Sequence, residues 1–90
     1  MPYLLICRDK PGALEVRKAN RDAHLAYARE SGMVAFGGPM LDEAGGMIGS
    51  MLVLDAPDRA AAEAFAAGDP YARAGLFESV EISGWKKVIG

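Results

Sequence analysis

The sequence predicts an α+β sandwich, one antiparallel sheet with both helices on one face. Three observations carry this. Strand-like and helix-like segments alternate in the order βαββαβ. The connections between them are short and marked by glycine and proline. Right-handed crossovers then favour one arrangement of such segments, the ferredoxin-like one.

The first strand is Tyr3-Leu4-Leu5-Ile6-Cys7, a short apolar run closed by the turn signal Lys10-Pro11-Gly12. From about Leu14 to Ser31 there is no Gly or Pro, and Ala, Arg, Glu and Leu dominate, which predicts a helix stopped by Gly32. Met33 to Phe36 reads as the second strand, broken by Gly37-Gly38-Pro39. Leu41 to Gly46 is a polar connection, and Gly45-Gly46 suits a hairpin turn because glycine accepts positive φ. Met47 to Leu54 is the third strand. Asp58 caps a second helix from Arg59 to Ala67, and Asp69-Pro70 opens one further turn. The last strand runs from Phe77 to about Trp85.

Ninety residues suit one domain, spanning 1–90. A chain this short buries only about 60% of its unfolded surface, so a disulfide, a metal or a partner subunit often supplements its core. Cys7 is the only cysteine and His24 the only histidine, so neither an internal disulfide nor a Cys/His metal cluster is expected. The partner subunit remains. Tyr3, Leu5 and Cys7 point to one side of the first strand, and Leu4 and Ile6 to the other. In the third strand Met47, Met51 and Val53 oppose Ile48, Leu52 and Leu54. Two helices cover one face only, so the second apolar face predicts a homodimer paired sheet to sheet.

The net charge is −2, and no basic run exceeds Lys86-Lys87, which argues against a nucleic-acid partner. No apolar run approaches a membrane span, and Met1-Pro2-Tyr3 lacks a signal-peptide layout, so a reducing cytoplasm is the expected compartment.

On a helical wheel, Val16, Ala23 and Tyr27 form the apolar stripe of the first helix, opposite Lys18, Asp22 and Arg29. His24 falls at the stripe's edge with Asn20, and Arg17 lies beyond. A boundary histidine can exchange protons near neutral pH, or it can simply bond a backbone carbonyl. Asp69 can cap the turn at Pro70, and its second oxygen can also orient a histidine. Gly37-Gly38-Pro39 precedes no helix and so differs from a phosphate loop; it is either a bend or bare backbone at a pocket wall. Ser50 has no neighbouring base in sequence and reads as a sheet residue, Cys7 as a small buried hydrophobe, and Trp85-Lys86-Lys87 as a strand end.

Arg21-Asp22-Ala23-His24-Leu25, Gly37-Gly38-Pro39-Met40, Gly49-Ser50, Asp69-Pro70-Tyr71 and Trp85-Lys86-Lys87-Val88 together resemble the YciI-like (YCII-related) family, in the same order along the whole chain. The resemblance implies a ferredoxin-like dimeric α+β barrel with a cleft in each subunit. It implies a paired histidine and aspartate there, which are His24 and Asp69 in this chain. The family is similar in fold to muconolactone isomerases and includes an enzyme that eliminates chloride from a hydroxylated aromatic.

The first functional expectation is therefore an enzyme working without cofactor or metal. His24 moves a proton on a small oxygenated substrate in isomerase, lyase or hydrolase-type chemistry, and Asp69 fixes its tautomer and stabilises the imidazolium. Arg21 holds an anionic group, and Gly38, Pro39, Ser50 and Tyr71 contact substrate. The alternative is a non-catalytic dimer that binds a small ligand or docks onto another protein. Oxygenase chemistry ranks below both, because no second histidine or redox group accompanies His24.

Overall fold

The structure, a computed structural model, describes residues 2–90. In chain order its elements are β1 (Pro2–Asp9), α1 (Leu14–Ser31), β2 (Val34–Leu41), β3 (Met47–Asp55), α2 (Arg59–Gly68), α3 (Pro70–Arg73) and β4 (Phe77–Gly84). The strands form one antiparallel sheet in the order β2-β3-β1-β4, so the first and third strands are central. This is the ferredoxin-like arrangement.

Local chemistry sets the boundaries. Gly32 ends α1 in the left-handed region at φ 67°, where a side chain would be strained. Asp58 Oδ1 accepts the Ala61 N–H at 2.8 Å and starts α2. The β2–β3 turn is tied by Asp42 Oδ1, which accepts the N–H groups of Ala44 and Gly46 at 2.9 and 2.8 Å.

The alternation of β1 is realised as read. Tyr3, Leu5 and Cys7 are buried and pair with Leu54, Leu52 and Ser50 of β3. They join Phe65 and Ala62 of α2 in the core. Burying such side chains is worth about 1.5–3 kcal/mol each for the large ones.

Three expectations need correction. Gly37-Gly38-Pro39 does not break the second strand: β2 continues to Leu41, with register shifts between Val34 and Phe36 and between Met40 and Leu41. Because β2 is an edge strand, the missing Pro39 N–H need not interrupt the ladder. The buried face of α1 is not the Val16–Ala23–Tyr27 stripe either. Ala23 is exposed, whereas Arg17 and His24 are the two buried residues of this helix. Arg17 and His24 are buried there because Asp9 and Asp69 of other elements meet them, while Tyr27 of the stripe is half-buried against Phe65. Finally, the second sheet face is apolar on three strands only. Leu4, Ile6, Phe36 and Met51 lie on it, while β4 contributes Ser79, Glu81 and Ser83. Trp85, just past β4, donates its N–H to Pro2 O at 3.0 Å and meets Phe36 edge-on, with 5.8 Å between ring centroids.

Candidate active site

A cavity of about 440 Å³ opens between α1 and the sheet. α1 contributes Arg17, Arg21, His24 and Ala28, residues spaced three or four apart and so on one helical face. The opposite wall is β2: Val34, Gly37, Gly38 and Pro39, bare of side chain at the two glycines. Ser50 and Leu52 line it from β3, and Tyr71 closes it from α3.

His24 Nδ1 lies 2.9 and 3.0 Å from the two oxygens of Asp69. A carboxylate only accepts, so an ionised Asp69 pairs with the tautomer that carries its hydrogen on Nδ1 and leaves Nε2 without a partner from Asp69. Asp69 Oδ1 also accepts the Tyr71 N–H at 2.9 Å, so the carboxylate caps α3 and holds the histidine at once. It stands behind the imidazole, outside the cavity lining. The Tyr71 ring stacks on the imidazole at 4.1 Å between centroids and 15° between planes. Asp69-Pro70-Tyr71 thus grips one ring by its edge and by its face.

Arg17 and Asp9 were not singled out by sequence reasoning, yet they form the second polar cluster. Arg17 donates from Nε and Nη2 to the Asp9 oxygens at 2.7 and 2.9 Å, and from Nη2 to Ser50 Oγ at 2.9 Å. Its guanidinium carbon sits 4.7 Å from the Tyr71 ring centroid. Burial works against the Arg17 charge, but the bonds and charge of Asp9 outweigh it and raise its pKa further. The signal that could have found Arg17 is its spacing: seven residues before His24 is two helical turns, on the same face. Asp9 carried no such signal, because its partner is a matter of tertiary packing.

The Tyr71 phenol is pushed up chiefly by burial, against the pull of Arg17 and Arg21, so it stays a neutral donor. Burial, with Asp69 nearby, pushes the Cys7 thiol up to about 12, which fits its place in the core. Arg21 is exposed at the cavity mouth, its Nη2 3.6 Å from Met47 Sδ. Among the described residues no three His, Cys, Asp or Glu side chains converge as a metal site requires. No helix there is long and apolar enough to cross a membrane.

Comparison with known proteins agrees with this architecture. The chain is 36% identical to protein YciI of Escherichia coli over an alignment of 97 residues, covering 98% of this chain and 99% of that protein. It is 33% identical to an uncharacterised Haemophilus influenzae protein over the same coverage. Among solved structures it is similar to the 5-chloro-2-hydroxyhydroquinone dehydrochlorinase of Burkholderia phenoliruptrix, seen in complex with 2,5-dihydroxybenzoquinone. That match has a TM-score of 0.87 and 35% identity, and covers 96% of this chain and 94% of the enzyme. The Mycobacterium tuberculosis protein Rv0793 shares the fold alone, with a TM-score of 0.65 and 15% identity over the full length of both chains. Residues 1–86 match the YCII-related domain, and the chain belongs to that family.

Proposed function

We propose that this protein is a cofactor-free enzyme that moves protons on a small oxygenated substrate, with His24 as general acid/base and Asp69 as its orienting partner. The observation that carries this is the buried Nδ1–carboxylate contact beside a ligand-sized cavity. Nε2 takes a proton from the substrate, and the imidazolium that forms is stabilised by the carboxylate on its other nitrogen. Tyr71 keeps the ring in plane. Arg21 at the mouth suits an anionic substituent, and Gly38 and Pro39 leave room for a flat substrate body along the wall. Similarity to a dehydrochlorinase supports eliminations of this type, in which a base removes the proton and chloride leaves with its bonding pair.

Chloride release from 5-chloro-2-hydroxyhydroquinone, followed beside binding of 2,5-dihydroxybenzoquinone, tests the reading. Wild type should release chloride, and His24→Ala should lose at least about 10²-fold in rate while still binding the quinone. Unchanged turnover in His24→Ala sinks the assignment. Quinone binding without turnover by wild type favours the alternative, a ligand-binding module.

We also propose that the protein works as a cytoplasmic homodimer. The apolar strip of Leu4, Ile6, Phe36 and Met51 on the face without helices supports pairing with a second copy. Sedimentation at micromolar concentration should give about twice the 9.5 kDa chain mass, and a folded monomer would refute it.

A further inference from the structure

We propose that the Ser50 hydroxyl is a fixed hydrogen-bond donor for a carbonyl oxygen of the substrate, held in that role by the buried Arg17–Asp9 pair. This rests on the acid/base reading of the cleft and adds a substrate class to it: small compounds with a carbonyl next to a removable C–H proton.

Ser50 is 1% exposed, faces Cys7 and Pro39 in the register of β3, and lines the cavity. Its oxygen accepts from Arg17 Nη2 at 2.9 Å. A guanidinium has donors and no acceptor, so this bond leaves the serine hydrogen unused. Among the described residues no acceptor takes it. Arg17 is itself clamped by Asp9 through two bonds, so it holds the serine oxygen from one fixed side. Asp9 neutralises the guanidinium, which makes Arg17 a poor anion receptor and a good positioning residue. A hydroxyl that accepts from a cation also becomes a stronger donor, and low polarity around it strengthens the bond it makes. Cys7 opposite remains a protonated thiol, a weak acceptor at best.

A ketone whose oxygen accepts from Ser50 can be deprotonated at the neighbouring carbon by His24 Nε2. The C–H bond breaks and the proton goes to Nε2. Its electron pair forms the C=C bond, and the carbonyl π pair moves onto the oxygen. The resulting enolate oxygen bonds Ser50 more strongly than the ketone did, which is how such a donor lowers a barrier. Returning the proton to another carbon completes an isomerisation; expelling a leaving group completes an elimination.

The test uses acetophenone and its near-isostere without the oxygen, ethylbenzene, titrated into the full chain and followed by NMR. Ser50→Ala should weaken acetophenone binding about tenfold and leave ethylbenzene binding unchanged. In wild type the infrared carbonyl stretch of bound acetophenone should lie below its value in hexane. That measurement needs no variant, so an unshifted carbonyl overturns the proposal even where Ser50→Ala does not fold. An unshifted carbonyl, equal effects on both probes, or no acetophenone binding by wild type overturns the proposal. His24→Ala should keep the carbonyl preference, so failure of the acid/base reading alone would leave that preference in place.

Discussion

Two polar side-chain pairs are buried beneath α1, and they differ in kind. Asp9–Arg17 joins side chains that are 5% and 3% exposed, through a planar fork, across a short stretch of sequence. His24–Asp69 joins side chains that are 9% and 3% exposed, across 45 residues, between α1 and the cap of α3. In the first pair the guanidinium keeps its charge at every working pH, because it does not deprotonate. The second includes the one side chain whose charge changes easily near neutrality. Neither improves on well-packed apolar residues for stability alone, since desolvation of the charges offsets their attraction. The contrast separates a fixed scaffold, which holds Ser50, from the pair that the proposed acid/base chemistry uses.

Breaking the fixed pair should have the largest effect. Arg17→Ala leaves Asp9 buried without its cation and should cost about 3–5 kcal/mol in urea unfolding. Replacing both partners, Arg17→Met with Asp9→Leu, should recover most of that loss. A single variant as stable as wild type would mean the pair is not buried in solution.

Cys7 reports on the charges of both pairs, because Asp69, Arg17 and Asp9 all act on its thiol, after burial itself. In the unfolded chain the thiol ionises near 9.0, and in the fold near 12. Between these values the unfolded state has released a proton that the folded state keeps. Stability must therefore fall as pH rises from about 9 to about 12, by about 4 kcal/mol in all. Cys7→Ala should flatten this alkaline limb; an unchanged slope in the variant would assign it to other groups.

Altering the switchable pair should cost less. Asp69→Ala removes the α3 cap and the acceptor of His24 Nδ1–H, and should lower stability by about 2 kcal/mol. Asp69→Asn can still cap, and should cost about 1 kcal/mol while losing turnover as far as Asp69→Ala does. Full activity in Asp69→Asn would show that the carboxylate charge plays no part. The exposed Arg8–Glu81 pair on the other sheet face sets the lower end of the scale. Arg8→Ala should change stability by less than about 1 kcal/mol, and added salt should erase the difference.

Much of the fold was legible because its signals are local. Asp58 and Asp69 before their helices, Gly32 after α1, and the alternation of Tyr3, Leu5 and Cys7 each specify an element within a few residues. The second strand was cut short because Gly37-Gly38-Pro39 is a local stop signal. An edge position, set by the rest of the sheet, removes its force. The buried face of α1 was misplaced for a similar reason. Hydrophobicity pointed to Ala23, but burial of Arg17 depends on Asp9 arriving from β1, and that of His24 on Asp69 arriving from the start of α3. Their juxtaposition is a property of the packed chain, and only the family resemblance drew His24 and Asp69 together beforehand.

The composition of β2 also bears on how the protein avoids self-association of the wrong kind. An edge strand offers a row of unpaired amides to any passing chain, and growth by strand addition starts there. Pro39 has no amide hydrogen to contribute, and the two register shifts that flank it bend the row out of line. The segment that forms the bare wall of the cleft is thus a poor template for a fifth strand. Replacing Pro39 by valine would lengthen the regular edge, and slow aggregation on storage is the cost it should reveal.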